Sequence, residues 1–355
     1  MPDRSYKAAL IGCGRVAWLL DEDPLVTHKP CSHAGAYREF ERTQIIAAAD
    51  TSAERAHAFS KEYGIDGIYL DYREMLEEAR PDIVSICAYA PERFDMVCDS
   101  IKKGVKGIWC EKAFATSLTE ADEMIRLCDE YNADLIVSHM RRWSSEYQFA
   151  KKLLSEGEIG TPISVVCHFS GSMIHTGTHA FDVLRLFFGD VDWVEGNLES
   201  DTVVSHHRAF GSTGDLVMRD TGGYALLFFR NGIYATIHGD TKGYFLFEFD
   251  IMGTKGRLRM GNGLFELYQS GKSKTESGLT ELHRKKTSPK RRNNMWISAV
   301  EHLVDCMEEK AGNLSGPRDG RAALEIALAI HQSHNSGGER VHLPLENQTL
   351  RVVSR

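Results

Sequence analysis

The feature that most constrains this fold is a regular alternation, through the first 140 residues, of short apolar runs and amphipathic segments. Thr51-x-x-Glu54 and Ser117-x-x-Glu120 each stand before an amphipathic segment and are typical of helix N-termini. Continuous apolar strands that alternate with amphipathic helices indicate a parallel sheet covered by helices on both faces. We therefore predict a doubly wound α/β domain, with strands at residues 8–11, 45–49, 83–87, 107–110 and 135–137.

From about residue 160 the pattern changes to alternation and hairpin turns. Phe245, Phe247 and Phe249 share one face of a predicted strand, and Asn231-Gly232 between two strand-like runs is a strong hairpin signal. Two apolar helices, at 296–307 and 319–330, close the chain. The sequence thus predicts an α/β domain at 1–140 and an α+β domain with an antiparallel sheet at 141–355. Because an open sheet exposes one face, we expect the phenylalanine face to be exposed; it predicts a homo-oligomer, since large exposed apolar faces usually find a partner.

Composition and charge exclude several classes of protein. The formal net charge of the 355-residue chain is −8, which argues against a nucleic-acid partner. No apolar run approaches the ~18 residues of a membrane span, so no membrane association is predicted. The N-terminus carries no apolar export signal, and eight scattered cysteines suit reduced, buried thiols, which together predict a cytoplasmic protein.

One basic stretch, at 272–292, departs from the acidic trend. It carries eight Lys and Arg residues, almost no apolar ones and Pro289, a composition typical of a solvated, mobile loop. Its functional alternative is a patch that binds a phosphate-bearing or otherwise anionic substrate.

A glycine motif follows the first predicted strand. Gly12 allows a tight turn, and Gly14 lets a pyrophosphate approach the backbone amides at the N-terminus of the next helix. Gly12, Gly14, Arg15 and Val16 are therefore predicted to bind a dinucleotide.

Asp50 ends the second predicted strand, where a carboxylate would accept hydrogen bonds from the adenosine ribose. Because its charge would repel a 2′-phosphate, it predicts NAD rather than NADP, although Arg55 one turn on would soften that preference. The alternative role is the N-cap of the following helix. The 38 positions from Gly12 to Asp50 exceed the usual ~20 and indicate an inserted loop at 20–32, whose candidate role is a lid over the cofactor.

Two further groups of residues suit catalysis. Glu111-Lys112 follows the fifth strand at the carboxyl edge of the sheet, where ligands of doubly wound folds bind, although a solvated surface lysine is the alternative. His175 and His179 are spaced to share one face of a helix. They suit an acid/base pair, an incomplete metal site or structural histidines; with no third ligand indicated by spacing, no metal is predicted.

In this order, the glycine loop, Asp50, Glu111-Lys112, Arg142-Trp143 and His179-x-x-Asp182 resemble the Gfo/Idh/MocA oxidoreductase family along essentially the whole chain. The resemblance implies an N-terminal Rossmann domain followed by a substrate-binding and oligomerisation domain with an open, mainly antiparallel sheet. It implies an NAD-dependent enzyme that transfers a hydride between the cofactor and a hydroxyl carbon of a sugar, sugar acid, inositol or nucleotide sugar, and that forms a homodimer or homotetramer.

The resemblance also assigns roles. His179 would be the base that takes the hydroxyl proton, Lys112 would hydrogen-bond the same oxygen, and His175 would orient the substrate or relay the proton. Glu111 and Lys112 would contact the cofactor as well. The residues expected to bind substrate are Arg142, Trp143, as a flat surface for a sugar ring, and Asp182.

Two positions depart from the family's usual pattern. Ala113 replaces a proline that can supply a cis peptide bond, which a non-proline residue forms at a cost of ~3 kcal/mol. His175 stands where an aspartate is common. Two alternative functions remain: a glycosidase in which bound NAD is reduced and reoxidised within each turnover, and a dinucleotide-binding regulator without catalysis.

Overall fold

Two β-sheets with flanking helices make up the described chain. The computed structural model describes residues 5–205, 215–239, 243–288, 293–348 and 350–352; of 200–205 and 215–219 it describes only the backbone. The strands are β1 (Tyr6–Ile11), β2 (Thr43–Ala49), β3 (Gly67–Tyr69), β4 (Ile83–Ile86), β5 (Gly107–Cys110), β6 (Asp134–Val137), β7 (Pro162–Phe169), β8 (Val191–Ser205), β9 (Asp215–Phe229), β10 (Tyr234–His238), β11 (Phe247–Gly253), β12 (Gly256–Gly261), β13 (Leu264–Lys272), β14 (Thr280–Lys285) and β15 (Val341–His342).

The helices lie mostly in the first half of the chain and at its end. They are α1 (Leu20–Glu22), α2 (His33–Glu39), α3 (Ala53–Tyr63), α4 (Tyr72–Ala79), α5 (Ala90–Lys102), α6 (Leu118–Tyr131), α7 (Ser145–Ser155), α8 (Thr178–Phe188), α9 (Met295–Met307) and α10 (Pro317–Asn335). Two π-helical turns, Arg15–Leu19 and Met173–Gly177, and a 3-10 turn, Met140–Trp143, complete the helical structure of the described ranges.

Contacts divide the chain into two compact units, which are described separately. The first comprises residues 5–143 and 293–321, and the second comprises the described residues of 144–288 and 322–352. The first stretch ends close to the expected boundary at 140. However, α9 and the start of α10 belong to the first unit, whereas the sequence placed them in the second domain. The reason is burial: Ala299, Val300 and Leu303 on α9 are fully buried in the core that also contains Trp109.

The sheet of the first unit is the predicted doubly wound one. Within the described residues, six parallel strands run in the order β3-β2-β1-β4-β5-β6. Strands β1, β2, β4, β5 and β6 are the predicted apolar runs. Strand β3 was not predicted, because its three half-buried residues form no apolar run. The strand order reverses between β1 and β4, and ligands of such sheets bind at the carboxyl edge near this point.

One of the two predicted helix caps is correct. Ser117 is the N-cap of α6, and its side chain accepts a hydrogen bond from the Glu120 amide at 3.3 Å. The cap predicted at Thr51 is wrong by one residue: α3 begins after Ser52, whose hydroxyl accepts from the Arg55 amide. Asp50 is therefore not the N-cap of α3.

The second unit contains a mixed, mainly antiparallel sheet. Within the described residues its nine strands run in the order β14-β13-β12-β11-β7-β10-β9-β8-β15, and β7 and β10 pair in parallel. The predicted hairpin connects β9 and β10; Gly232 has φ +88°, the left-handed conformation that glycine adopts without penalty. This sheet and the parallel one confirm the predicted fold class.

The phenylalanine face predicted to be exposed is buried. Phe247 and Phe249 on β11 are 0% and 1% exposed, because this face of the sheet packs inward with Cys167 and Val165 of β7. Phe245 is 67% exposed but precedes the strand. The argument for an oligomer from these residues was therefore wrong.

The basic stretch at 272–292 is in large part a β-hairpin rather than a loop. Residues 280–285 form β14, which pairs with the end of β13 and lies at the edge of the sheet. Exposed basic residues on an edge strand discourage pairing with other chains, which gives Arg284 and Lys285 of β14 a structural reason for their charge. Pro289 and the last three basic residues of the stretch lie outside the described residues.

All eight cysteines are unpaired thiols, as the sequence predicted. Among the helices of the described ranges, none combines the length and the apolar character that a bilayer crossing requires.

Candidate active site

The glycine motif forms a tight turn directly after β1. Gly12 has φ +92°, and a Cβ there would lie 3.2 Å from the Cys87 carbonyl carbon, so the position needs glycine both for its conformation and for space. A Cβ at Gly14 would meet no atom within 4 Å. This open backbone at the start of the helical turn fits the approach of a pyrophosphate. Of the following residues, Arg15 is exposed and 3.5 Å from Asp23, and Val16 is half-buried.

Asp50 stands at the end of β2, beside this turn. One carboxylate oxygen accepts from the Cys13 amide at 2.8 Å, and the other accepts from the Ser52 amide at 2.8 Å. Asp50 thus ties the glycine turn to the start of α3, while a carboxylate retains acceptor capacity for ribose hydroxyls. Arg55 Nη1 lies 4.0 Å from the same carboxylate, where a cation would reduce the repulsion of a 2′-phosphate.

Lys112 follows β5 and is half-buried. Because β1, β2 and β5 are parallel, Gly12, Asp50 and Lys112 lie at the same edge of the sheet. The Lys112–Ala113 peptide bond is cis although residue 113 is not proline. The Ala113 carbonyl accepts a hydrogen bond from the Arg93 guanidinium, whose Nε donates to the Ala88 carbonyl at 2.9 Å, so Arg93 joins the segments that follow β4 and β5.

Glu111 points into the protein rather than toward an open cleft. It is 7% exposed, and its carboxylate oxygen lies 3.1 Å from His33 Nε2. Burial alone would raise the pKa of Glu111, but the hydrogen bond and electrostatic interaction with His33 and the charges of Lys112 and Arg93 outweigh it and lower the pKa from 4.5 to about 2. The buried carboxylate of Glu111 therefore contacts His33, and its predicted contact with the cofactor stays a prediction.

Arg142 and Trp143, which were expected to bind substrate, are both buried and contact other residues of the first unit. Arg142 donates to the Leu314 carbonyl at 2.6 Å and to Asp319 at 3.0 Å, and it is 6% exposed. Trp143 is 5% exposed and packs in the core near His302. Burial leaves the Trp143 ring without the exposed face that stacking on a sugar requires, and these contacts give Arg142 a structural role.

The second unit carries both predicted histidines on one continuous helical segment. His175 lies in the π-helical turn Met173–Gly177, and His179 lies in the first turn of α8; both are half-buried. The segment is helical, as the expected shared face requires. Asp182, one turn further along, is fully buried, so it is better placed to support α8 than to contact substrate directly.

A buried acid–histidine pair anchors the start of this segment. Asp220 on β9 accepts from the Met173 amide at 2.5 Å and from the Ile174 amide at 3.3 Å. His331 of α10 lies 2.9 Å from the second carboxylate oxygen, and both side chains are almost fully buried. A carboxylate at the first amides of a helical turn satisfies donors that the helix itself leaves unpaired.

Sequence reasoning missed five polar residues that support the predicted site. Each is buried and distant in sequence from the motif that it contacts; they are His33, Ser85, Arg93, Asp220 and His331. The available signals were weak: a serine inside the apolar run 83–87, and a histidine directly after the apolar segment 319–330. Across the described part of the chain, no group of three or more His, Cys, Asp or Glu side chains is placed to hold a metal ion.

Comparisons with known proteins agree with this geometry. Residues 7–139 match the Gfo/Idh/MocA model described as an oxidoreductase family with an NAD-binding Rossmann fold, and residues 151–343 match the C-terminal alpha/beta domain of the same family. A D-apiose dehydrogenase of Paraburkholderia graminis is 30% identical over 53% of this chain and 51% of its own length. A myo-inositol 2-dehydrogenase of Thermotoga maritima is 22% identical over 72% of this chain and 75% of its own length.

A solved structure extends the likeness to the whole fold. The WlbA dehydrogenase from Bordetella pertussis, in complex with NADH and UDP-GlcNAcA, has a TM-score of 0.74 at 19% identity, over 97% of this chain and 100% of that chain. The family match confirms the predicted NAD cofactor, for which the open backbone at Gly14 and the Asp50 carboxylate are suited. The chain belongs to the Gfo/Idh/MocA family of NAD-binding oxidoreductases.

Proposed function

We propose that this protein is an NAD-dependent dehydrogenase that oxidises a hydroxyl carbon of a polyhydroxylated substrate: a sugar, sugar acid, inositol or nucleotide sugar. The observation that carries the proposal is the common edge of the parallel sheet, where the glycine turn, Asp50 and the half-buried Lys112 follow β1, β2 and β5. The relatives named above, which act on apiose and on inositol, support this class of substrate.

Different residues of this chain would bind the cofactor and handle the substrate proton. The backbone at Gly12 and Gly14 would hold the pyrophosphate, Asp50 would hold the adenosine ribose, and the bound nicotinamide supplies hydride transfer. Lys112 would donate a hydrogen bond to the substrate oxygen, which favours the charge that develops there as its proton leaves. His179 would take that proton, since imidazole titrates near neutral pH, and His175 would orient the substrate or pass the proton on.

Substitution of the two central residues tests these roles. Lys112→Ala and His179→Ala are each expected to lower turnover by at least ~100-fold while NAD binding stays near normal. His175→Ala should be milder. Lys103→Ala and His57→Ala, at exposed positions, are the matched controls. Near-normal turnover of His179→Ala would show that the base is misassigned, and loss of wild-type activity to a chelator would favour a metal at the histidines.

Accumulation of NADH separates the proposed function from its alternatives. A panel of sugars, sugar acids, inositols and nucleotide sugars should yield stoichiometric NADH from at least one member. A glycosidase that reoxidises its cofactor would release product without NADH, and a regulator would bind NAD without either. The dehydrogenase names of the relatives support the first outcome.

An anionic substrate is the finer part of the proposal. The exposed basic residues of the 272–285 hairpin are its candidate contacts. Replacing Lys272, Arg284 and Lys285 with Gln should raise KM and weaken its dependence on salt if the hairpin reaches such a ligand. An unchanged KM would show that the hairpin does not contact the substrate. The charges on β14 would then serve only to discourage pairing at the edge of the sheet.

We also propose that the protein forms a homodimer or homotetramer and that it is cytoplasmic. Tyr224, Tyr234 and Met252 alternate with buried neighbours along their strands and are 58%, 44% and 40% exposed, so the outer face of the nine-stranded sheet carries apolar surface suited to a second copy. Light scattering of the purified protein measures the assembly directly, and a monomer at micromolar concentration would contradict it.

A further inference from the structure

A chain of buried hydrogen bonds runs through the first unit and ends beside Lys112. The Tyr37 hydroxyl lies 2.8 Å from Ser85 Oγ, and Ser85 Oγ lies 2.9 Å from His33 Nδ1. The other ring nitrogen of His33 lies 3.1 Å from Glu111 Oε1. Three of these four side chains are fully buried, and Glu111 is 7% exposed.

The direction of the chain follows from what each group can donate. An ionised Glu111 can only accept, so His33 Nε2 carries a hydrogen and donates to it. In neutral His33 the other nitrogen then accepts from the Ser85 hydroxyl, which in turn accepts from Tyr37. Burial raises the pKa of Tyr37, which keeps its hydroxyl protonated as the first donor of the chain.

Packing holds the His33 ring in one orientation. Its centroid lies 4.0 Å from that of Trp109 and 5.5 Å from that of Trp296. The ring therefore sits in an aromatic pocket with a polar partner at each nitrogen, which is the arrangement that fixes a tautomer.

The inserted loop fixes the helix that carries His33. The Asp21 carboxylate accepts from the Cys31 amide at 2.6 Å and from the Ser32 hydroxyl, and Ser32 Oγ caps α2 at the Gly35 amide. A Cβ at Gly35 would overlap the Asp21 carboxylate and lie 2.8 Å from Pro30 Cβ. The loop at 20–32 is thus fastened at its base to the first turn of α2, directly beside His33.

The groups that face Glu111 come from several elements. His33 approaches from α2, Arg93 from α5, and Lys112 from the same segment, while Cys87 and Cys110 lie nearby on the chain after β4 and on β5. Burial raises the pKa of both thiols, so they are neutral at physiological pH. The charge at Glu111 therefore depends on its three cationic or donor partners.

We propose that His33 is a positioning residue for catalysis: by donating to Glu111 it keeps that carboxylate ionised and oriented, and the fixed negative charge and backbone of Glu111 hold the adjacent Lys112 aimed at the substrate oxygen. This inference rests on the proposed role of Lys112. It also gives the inserted loop at 20–32 a role: the loop fixes the start of α2 and so holds His33 against Glu111.

The test compares variants of His33 with the Lys112 variant. His33→Leu removes both hydrogen bonds and is expected to lower kcat at pH 7 by about 10-fold or more, with NAD affinity and KM within about 2-fold of wild type. Without its donor the buried Glu111 takes up a proton more readily, so the acid limb that His179 gives to the kcat profile of the wild type should move to higher pH in this variant. His33→Gln keeps a donor and should restore part of the activity. His57→Gln, an exposed histidine of the same unit, is the control.

A double variant of His33 and Glu111 distinguishes a positioning role of His33 from a general loss of structure. Glu111→Gln removes the group through which His33 acts, so the double variant with His33→Leu should be no slower than Glu111→Gln alone. If His33→Leu does not fold, Ser85→Ala removes the partner that Nδ1 shares with the Tyr37 hydroxyl and should shift the pH dependence of kcat in the same direction by a smaller amount. Nitrogen NMR of the histidine rings in the wild type, which needs no substrate, should show His33 with its hydrogen on Nε2.

The outcomes distinguish the two levels of proposal. If Lys112→Ala keeps its turnover on the best substrate of the panel, the proposed function fails at that residue. If Lys112→Ala is inactive but His33→Leu keeps wild-type kcat and pH profile, the positioning role of His33 is refuted while the function stands. Strictly additive effects of His33→Leu and Glu111→Gln would also overturn it.

Discussion

Replacing Glu111 with Gln should destabilise the first unit in a pH-dependent way. The pKa of Glu111 is lowered from 4.5 to about 2; burial opposes this, and the His33 hydrogen bond and nearby positive charges produce it. At about 1.4 kcal/mol for each pH unit, the difference corresponds to about 3 kcal/mol of stability that the ionised carboxylate contributes. Because Glu111 is buried, solvent screening reduces this value little.

The sign of the pH dependence follows from the lowered pKa. The unfolded chain binds a proton at Glu111 near pH 4.5 and the folded chain only near pH 2, so the stabilisation is complete above pH 4.5 and is lost as the pH falls. The loss should be about 1 kcal/mol at pH 4 and about 2 kcal/mol at pH 3. Glu111→Gln should therefore cost about 3 kcal/mol at pH 7 and about 1 kcal/mol at pH 3.

Urea unfolding followed by tryptophan fluorescence measures this difference. Four of the five tryptophans, at 18, 109, 143 and 296, lie in the first unit, so the signal reports mainly on it. Glu77→Gln, at an exposed position, is the control and should change stability by less than about 0.5 kcal/mol. A cost of Glu111→Gln that is equal at pH 7 and pH 3 would refute the reasoning.

The parallel half of the fold could be predicted because its strands are buried on both faces. Runs such as Ile83–Ile86 and Gly107–Cys110 are apolar at nearly every position, and amphipathic segments alternate with them. This pattern indicates a parallel sheet that is covered by helices on both faces. Strand β3 lacked this signal. The place of α9 could not be predicted, because an apolar helix face does not specify which core it joins.

The glycine turn and Lys112 could be placed because ligand sites of such folds follow strands. The direction of a side chain near the end of a strand was not predictable, so the burial of Glu111 and Trp143 could not be foreseen. Both residues stand in positions typical of a site and point into the core instead. The supporting residues His33 and Asp220 act on motifs far away in sequence, so no local pattern reveals them.

Three further predictions follow from single contacts. Asp50→Ala should weaken NAD binding by at least about 10-fold and narrow the preference for NAD over NADP in calorimetry; tighter binding of NADP by the wild type would contradict the role of Asp50. Asp220→Ala should leave NAD affinity unchanged and lower kcat, because it frees the first amides of the segment that carries His175 and His179, the proposed catalytic histidines; equal loss of NAD binding would point to general unfolding. Gly35→Ala should destabilise the protein by about 2 kcal/mol, since crowding against Asp21 and a weakened cap outweigh the gain of about 1 kcal/mol from helix propensity. Gly312→Ala, where a Cβ meets no atom within 4 Å, is its control, and a Gly35→Ala protein as stable as this control in urea would show that the insertion is not fastened to α2 through Asp21.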